Sequence, residues 1–321
     1  MLLSGDRSGY VGIKTLPGMD PIVVEGLSKY YGDIRGIDDL SFSVKSAEVF
    51  GFLGPNGAGK TTAIRTLLGL QSPTSGTATV LGADIRNESA LIEARRKIGY
   101  LPDHLGFNEE LTGSAILDYH GAIKGESRRE ELLERFTPPV DRPVRGYSAG
   151  NKRMLGIIQA FMHDPDLVIL DEPTSGLDPL KQEEFHEFIR AEQERGTTFF
   201  FSSHILSEVR QICDRVGILR QGHLAELEDV DTLLNRSGKR VRVQTTDDGQ
   251  QSIASLNGVI DIHYFDNGMQ FIYTGEYNDL FRELAQHDIV EADISEPPLE
   301  DIFLHYYGDS INAYEEVSND A

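Results

Sequence analysis

The sequence predicts an α/β protein with a mainly parallel core sheet, followed by a small α+β domain. Short apolar runs such as "DLVILDE" and "TTFFFSS" alternate with helical patterns such as "LKQEEFHEFIRAEQER", which is typical of a parallel sheet buried between helices. The run "LSFSVKSAEVFGFLG" leads from strands directly into a glycine-rich loop and a helix. After about residue 226, the pattern changes to short strands separated by turn signals.

The N-terminal part divides into a leader and a large domain. Residues 1–18, "MLLSGDRSGYVGIKTLPG", contain four Gly residues, one Pro and no sustained period, so we expect a disordered leader. Strand-like alternation begins only after Met19, which is a candidate for the true translation start. We expect the large domain over residues 19–226. Within it, residues 104–146 are charged and helical in pattern.

The C-terminal part predicts a small α+β accessory domain over residues 227–308 and an acidic tail over residues 309–321. We expect strands in "KRVRVQTT", "VIDIHYF" and "MQFIYTG", and amphipathic helices in "YNDLFRELAQ" and "LEDIFLHYY". The Asn267-Gly268 pair after Asp266 is a strong signal for a two-residue hairpin loop.

The charge of the chain limits its partners. A formal net charge of −22 over 321 residues argues against a sequence-independent grip on nucleic acid, because such binding needs Lys and Arg. Only nine of the 30 basic residues are lysines. This composition suits a cytoplasm rich in potassium chloride, so we expect a salt-loving source; an ordinary acidic cytosolic protein is the alternative. No apolar run reaches the roughly 18 residues of a membrane span, which predicts a cytoplasmic protein.

A phosphate loop follows the last of the predicted N-terminal strands. The segment "GPNGAGKTT" matches the pattern G-x-x-x-x-G-K-[ST] in the required context of strand, loop and helix. Backbone N–H groups of such a loop cradle the β- and γ-phosphates of a nucleotide, and glycines permit the close approach. Lys60 would neutralise phosphate oxygens, and the Thr61 hydroxyl would bind Mg²⁺. The candidate nucleotide-binding residues are Gly54, Pro55, Asn56, Gly57, Ala58, Gly59, Lys60, Thr61 and Thr62.

A second strand end carries two carboxylates. In "LVILDE", four apolar residues predict a buried strand that ends at Asp171, which can order the water on Mg²⁺. Glu172 is then placed to polarise an attacking water as a general base. Together with the phosphate loop, the pair predicts hydrolysis of ATP with Mg²⁺.

With these motifs, the chain resembles the nucleotide-binding subunits of ABC transporters over about residues 22–226. The resemblance implies a P-loop ATPase domain with an antiparallel β part and a helical subdomain. It implies that Tyr31, in "KYYG", stacks on adenine, with Tyr30 as the alternative. "PTSGLDP" resembles the D-loop, in which Asp178 reaches across a dimer interface. "SSHIL" resembles the switch motif, which makes His204 a contact of the γ-phosphate.

Two positions depart from the commonest pattern of that family. After "IGYLP", Asp103 replaces a Gln that senses both Mg²⁺ and the membrane partner; a carboxylate accepts hydrogen bonds but cannot donate them as an amide does. The signature, usually Leu-Ser-Gly-Gly-Gln, is Tyr-Ser-Ala-Gly-Asn here. In the family dimer, the signature helix points its N-terminus at the γ-phosphate bound by the other subunit. We expect Ser148, Ala149, Gly150 and Asn151 to form a competent signature, because the hydroxyl and the second glycine are kept.

The C-terminal "EPPLEDIFLHYYG" resembles the "P-x-LED-x-F" ending of ATPases from ABC exporters with separate permeases. The resemblance implies an exporter ATPase that forms a homodimer or heterodimer and lies on the inner face of the membrane through a polytopic permease. Two alternatives stay open. One is an ABC ATPase that acts on nucleic acid or ribosomes, although the long coiled coil or tandem halves of such proteins are missing. The other is a regulatory subunit that binds ATP without hydrolysing it.

Overall fold

The computed structural model describes residues 19–236, 238–246 and 249–295. The predicted leader, the acidic tail and the helix in "LEDIFLHYY" lie outside these residues. The chain divides into two compact units between Asp229 and Val230. This division lies three residues after the expected end of the large domain at residue 226, because the last strand of the first unit extends to Asp229.

The first unit contains ten strands, seven α-helices and one short 3-10 helix (Val144–Gly146) among the described residues. The strands are β1 (Ile22–Tyr31), β2 (Ile34–Val44), β3 (Val49–Leu53), β4 (Ser75–Val80), β5 (Ala83–Asp84), β6 (Ile98–Leu101), β7 (Leu167–Asp171), β8 (Thr198–Ser203), β9 (Arg215–Arg220) and β10 (His223–Asp229). The helices are α1 (Lys60–Leu67), α2 (Glu88–Arg96), α3 (Gly113–Lys124), α4 (Arg129–Phe136), α5 (Ala149–Phe161), α6 (Pro179–Glu194) and α7 (Leu206–Ile212).

Two sheets form the first unit. Strands β2, β1, β4 and β5 make an antiparallel sheet in that order. The second sheet has the order β10, β9, β3, β8, β7, β6, and all its neighbours are parallel except the edge pair of β9 and β10. The prediction of a mainly parallel core sheet is therefore confirmed.

The sheets pack through aromatic side chains. The strands β3, β7 and β8 are buried along their whole length, as their unbroken apolar runs predict. Phe42 of the antiparallel sheet stacks on Phe50 and Phe200 of the parallel sheet, with ring centroids 5.5 and 6.1 Å apart. Since β3 and β7 are both inner parallel strands, the residues that follow them meet at one edge of the sheet.

The helical region between β6 and β7 is shorter than its sequence pattern predicts. Helices α3 and α4 occupy part of residues 104–146, and residues 104–112 contain no helix. Local hydrogen bonds account for this difference: the Asn108 side chain accepts from the backbone N–H of Glu110, and the Thr112 hydroxyl accepts from that of Ala115. Such side chains favour turns and helix N-caps over helix interiors, so the helix begins only after Thr112.

The second unit is a four-stranded antiparallel sheet with short helices. Its elements are α8 (Val230–Arg236), β11 (Lys239–Thr245), α9 (Gln250–Ala254), β12 (Val259–Phe265), β13 (Gly268–Tyr273), α10 (Tyr277–Leu284) and β14 (Ile289–Ser295). The strand order is β12, β13, β11, β14. A separate core of buried apolar residues holds it together: Val241, Val243, Ile253, Met269, Phe271, Tyr273, Leu280 and Leu284.

The hairpin between β12 and β13 corrects one detail of the prediction. Phe265 pairs with Gly268, so the two loop residues are Asp266 and Asn267, one position earlier than the predicted Asn267-Gly268 pair. Asn267 supplies the left-handed conformation, with a φ of +58°. Gly268 is needed for packing, because a Cβ atom there would lie 2.3 Å from the Phe265 ring.

Candidate nucleotide site

An open cleft of about 290 Å³ lies where the phosphate loop meets the end of β7. Most of the predicted site residues line it: Tyr31, Pro55, Asn56, Gly57, Gly59, Lys60, Thr61, Thr62, Asp103, Asp171 and Glu172. Gly54 and Ala58 belong to the same loop but are buried beneath it. Three further lining residues are not identified by any sequence motif: Ile34, Arg35 and Gly36.

Two glycines of the phosphate loop, Gly54 and Gly59, are required by the protein's own packing. A Cβ atom on Gly54 would lie 2.5 Å from the carbonyl oxygen of Leu219, and one on Gly59 would lie 2.3 Å from that of Gly36. Gly59 also has a φ of +109°, which L-residues with side chains rarely adopt. The loop is thus held in a fixed shape between β9 and β2, and a loop of this kind before a helix N-terminus suits an anion.

Lys60 and Thr61 connect the loop to the end of β7. The Lys60 ammonium donates to the carbonyl oxygen of Gly54 at 2.6 Å and lies 3.2 Å from Glu172 Oε1. The Thr61 hydroxyl donates to Asp171 Oδ2 at 3.0 Å. A cation, a hydroxyl and two carboxylates therefore converge at the base of the cleft.

Asp171 is a buried carboxylate, and each of its two oxygens accepts a hydrogen bond. Ser202 of β8 donates to Asp171 Oδ1 at 2.6 Å, opposite the bond from Thr61. Burial raises the pKa of Asp171, while these two hydrogen bonds counteract the rise. Among the described residues, no group of three or more His, Cys, Asp or Glu side chains could hold a metal ion. The oxygens of Asp171 and Thr61 are nevertheless hard ligands of the kind that Mg²⁺ shares with substrate phosphates.

Glu172 has a strained backbone and a contact with His204. Its φ of +48° is unusual for a residue with a side chain and is the kind of strain found at functional sites. Its backbone N–H donates to the carbonyl oxygen of Ser202 at 3.1 Å. His204 Nδ1 lies 2.8 Å from Glu172 Oε2, whereas no group of the described residues donates a hydrogen bond to Oε1. Oε1 is buried and lies 3.2 Å from the Lys60 ammonium, so the carboxylate stands between Lys60 and His204.

Of the two tyrosines in "KYYG", Tyr31 lines the cleft and the alternative, Tyr30, does not. The Tyr31 side chain is 47% exposed, and its hydroxyl donates to Gln71 Oε1 at 2.7 Å. Lys29 places its ammonium 5.3 Å from the centre of the same ring. The ring is thus held in place and offers an aromatic face, which a nucleotide base can stack on.

Arg35 is a cleft residue that sequence analysis missed. Its Nη1 atom lies 2.5 Å from His223 Nε2 and 3.9 Å from Asp38 Oδ2. The neighbouring Gly222 donates to the carbonyl oxygen of Ala58, so the turn before His223 also supports the phosphate loop. No motif could reveal these contacts, because 188 residues separate Arg35 from His223.

Arg153 is a second missed residue, and it connects three segments around the site. The guanidinium is buried and donates to the carbonyl oxygens of Pro102, Asp103 and Ser175. The Asp103 carboxylate lies 3.8 Å from it. One sequence feature could have revealed Arg153: it is a charged residue at a position on the buried face of the signature helix α5.

The signature residues lie at the N-terminus of α5, and they do not line the cleft. Ser148 is the N-cap, and its hydroxyl accepts from the backbone N–H of Asn151 at 3.2 Å. The Ala149 methyl packs toward Gly176, where a side chain would come within 3.1 Å of it. Ser148 and Ala149 are exposed. The N-terminus of α5 thus keeps its Ser148 cap, although two residues of the signature differ from the commonest pattern. Like any helix N-terminus, it presents backbone N–H groups that have no partner within the helix.

Asp178 also lies outside the cleft lining. It is the N-cap of α6, and its Oδ1 atom accepts from the backbone N–H of Lys181 at 3.0 Å. The structure therefore brings together the phosphate loop, Tyr31, Asp103 and the two carboxylates, with His204 attached through Glu172. The signature and Asp178 form a separate exposed group of helix N-termini in the same unit.

Comparisons with known proteins agree with this geometry. A family profile described as "ABC transporter" matches residues 37–175. The bacitracin transport ATP-binding protein BcrA of Bacillus licheniformis is 37% identical over 297 residues, which cover 88% of this chain and 95% of that protein. The chain belongs to the ATP-binding subunits of ABC transporters. The linearmycin resistance ATP-binding protein LnrL of Bacillus subtilis (strain 168) is 33% identical and covers 88% of this chain and 97% of that protein.

Solved structures place this ABC subunit in the same fold. A structure described as the ATP-binding subunit of an ABC transporter is 30% identical, has a TM-score of 0.60 and covers 66% of this chain and 91% of that one. The ABC ATPase is thus an enzyme of a family that hydrolyses ATP to power transport. Within the part of the chain that the structure describes, no helix has the length and apolarity to cross a membrane.

Proposed function

We propose that this ABC subunit hydrolyses ATP with Mg²⁺ to drive export of a small molecule through a separate permease. The observation that carries the proposal is the convergence of Lys60, Thr61, Asp171 and Glu172 on one cleft, with His204 in contact with Glu172. Export is supported by relatives that are named for bacitracin transport, linearmycin resistance and Nod factor export.

In this proposal, each side chain has one role in hydrolysis. Phosphate-loop N–H groups and Lys60 bind the phosphates of ATP, and Tyr31 stacks on the base. Thr61 and Asp171 would hold Mg²⁺, which would neutralise charge on the phosphates, and Asp103 faces the same cleft. Glu172 accepts a proton from the attacking water, and His204 keeps the carboxylate oriented.

We also propose that two subunits close around two ATP molecules. The support is the exposed N-terminus of α5, which keeps the Ser148 cap and its free N–H groups but does not face the cleft of its own chain. A helix N-terminus attracts the γ-phosphate bound by a partner, and Asp178 stands at a similar exposed terminus. Closure would move the permease, which would hold the subunit at the inner face of the membrane.

A trapping experiment tests hydrolysis and closure together. Glu172→Gln should slow hydrolysis by at least about 100-fold, because the amide cannot take the proton. We expect it to elute as a dimer in size-exclusion chromatography in molar potassium chloride with Mg-ATP, and as a monomer without ATP.

The matched control is Glu172→Gln combined with Ser148→Arg, which should bind ATP but stay monomeric because a bulky cation blocks the helix terminus. If Glu172→Gln binds ATP and hydrolysis is unchanged, the proposed base is wrong. If the unchanged protein binds ATP and shows no hydrolysis, the regulatory alternative replaces this proposal.

A further inference from the structure

The second unit contains an apolar groove with no covering residue among those described. It has a volume of about 730 Å³ and lies between α10 and β14. Its apolar lining residues are Phe281, Leu284, Ala285, Ile289, Val290, Ala292 and Ile294. Phe281 is 56% exposed and Val290 is 62% exposed. Large apolar side chains in one contiguous groove indicate a surface that is covered by a partner or by another segment of the chain.

The register of β14 shows that the groove continues the core of the unit. Ala292 pairs with Val243, and Ile294 pairs with Val241, both of which are buried core residues. Paired residues of neighbouring strands point to the same face of a sheet, so Ala292 and Ile294 lie on the core face, and a register shift brings Ile289 opposite the buried Thr245. The helices α9 and α10 leave this edge of the core face open.

The chain itself supplies a segment that matches the groove. Strand β14 ends at Ser295, next to the groove, and only Glu296, Pro297 and Pro298 separate it from "LEDIFLHYY". In a helix, Leu299, Ile302, Phe303 and Tyr306 would form one apolar stripe at the spacing i, i+3, i+4, i+7. Nine helical residues span about 14 Å, and the seven residues of β14 span about 23 Å, so the helix fits along the strand.

We propose that residues 299–307 form a helix that packs its apolar stripe into this groove and completes the core of the second unit. The proposal gives a physical reason for each part of the "P-x-LED-x-F" ending. The prolines end the strand and begin the helix, since proline is favoured in the first helical turn. Glu300 and Asp301 fall in that turn, where negative charge is favourable, while Leu299 and Phe303 fill the groove.

The test is hydrogen–deuterium exchange of the full-length protein, followed by mass spectrometry. In the unchanged chain, residues 299–307 should be protected from exchange, and the protection should not depend on protein concentration. Phe303→Asp, in the stripe, and Val290→Asp, in the groove, should each accelerate exchange in residues 299–307 by on the order of tenfold or more, because one buried apolar side chain accounts for at least this factor. The ATPase rate should be unchanged in both variants.

The matched control is Leu304→Asp, which makes the same chemical change on the opposite side of the helix and should leave exchange unchanged. Equal effects of Phe303→Asp and Leu304→Asp would overturn the proposal. So would exchange of residues 299–307 at the rate of a free peptide in the unchanged chain. Protection that rises with protein concentration would assign the groove to a second copy, and protection seen only with the permease would assign it to that partner. Both results contradict an occupant from the same chain.

Discussion

The contact between Glu172 and His204 is the residue pair that most directly affects the rate of hydrolysis in the proposed mechanism. His204 is half-exposed and touches the carboxylate oxygen that faces away from Lys60. We expect His204→Ala to lower kcat by on the order of 100-fold, because the base loses its orienting partner. The affinity for ATP should change by less than about threefold, since Lys60 and the phosphate loop are untouched. Steady-state kinetics and nucleotide titration measure both quantities.

A matched control for this variant is His263→Ala, in the second unit, where the histidine is also exposed. It should leave kcat and ATP affinity unchanged. If His204→Ala instead weakens ATP binding strongly at an unchanged kcat, His204 acts in ground-state binding and the positioning role is wrong.

Variants of Ser148 can separate its two proposed roles, which are capping of helix α5 and contact with the γ-phosphate bound by the partner subunit. Ser148→Ala removes the N-cap bond to Asn151 and should lower the free energy of unfolding by about 1 kcal/mol. Ser148→Asp keeps an equivalent cap, so its stability in urea should match that of the unchanged protein. In the Glu172→Gln background, however, the aspartate should abolish the ATP-dependent dimer, because its charge repels the γ-phosphate of the partner subunit.

The contrast between the two Ser148 variants decides what the changed signature does. If Ser148→Asp still dimerises with Mg-ATP, the α5 terminus does not meet the phosphate. The variant Asn151→Gln serves as the control, since it restores the commoner amide and should leave both stability and dimerisation intact.

Short motifs predict residues well when the chemistry requires fixed local spacing. The phosphate loop is such a case, because Lys60 and Thr61 must follow the glycines to reach the same ligand. Arg35 and Arg153 could not be predicted, because their roles depend on contacts with His223 and with backbone oxygens far away in sequence.

At the scale of elements, a buried ion pair joins α4 to α6. Arg128, the N-cap residue of α4, donates two hydrogen bonds to the carboxylate of Glu192, at 2.5 and 2.7 Å, and both side chains are buried. Burial opposes the charge of Arg128, but hydrogen bonds to Glu131 and Glu192 raise its pKa overall. The helical region is thereby fixed to α6, the helix that Asp178 caps.

We expect Arg128→Met to lower the free energy of unfolding by about 3 kcal/mol, the low end for a broken buried pair, because Glu192 stays charged and buried but keeps Arg195, at 3.6 Å, as a cationic partner. The double variant Arg128→Met with Glu192→Met should recover most of this loss, since two apolar side chains replace the pair. Urea denaturation followed by circular dichroism measures both. Arg145→Met, which breaks an exposed pair with Glu110, is the control and should cost less than about 1 kcal/mol. Equal losses in the single and double variants would mean that packing, and not the unpaired charge, dominates.

The type of each long element follows from its sequence, because periodic burial leaves a strong pattern. The apolar run of β7 and the helical spacing of α6 are examples. Strand β14 left no such signal, since most of its residues are exposed on both faces. The hairpin loop was predicted one residue too late, because the glycine that usually marks the turn is needed here to make room for Phe265.

At the scale of the whole molecule, charge is the property with the widest effect. A formal net charge of −22 creates self-repulsion that opposes the compact state, and added salt screens it over a Debye length of about 10 Å at 0.1 M and about 3 Å at 1 M. If the protein is adapted to molar potassium chloride, as its composition indicates, the folded state should need that screening.

We therefore expect the melting temperature to rise by at least about 10 °C between 0.1 and 2 M potassium chloride, which corresponds to about 7 kcal/mol for a chain of 321 residues. Thermal unfolding followed by circular dichroism measures the shift.

Potassium sulfate strengthens apolar burial as well as screening charge, so potassium chloride is the cleaner probe. The control is sucrose, which stabilises folded proteins without screening and should not replace the salt. A melting temperature that is the same at both salt concentrations would identify an ordinary acidic protein, and the proposed ATP-driven cycle would then be expected to run at low salt as well.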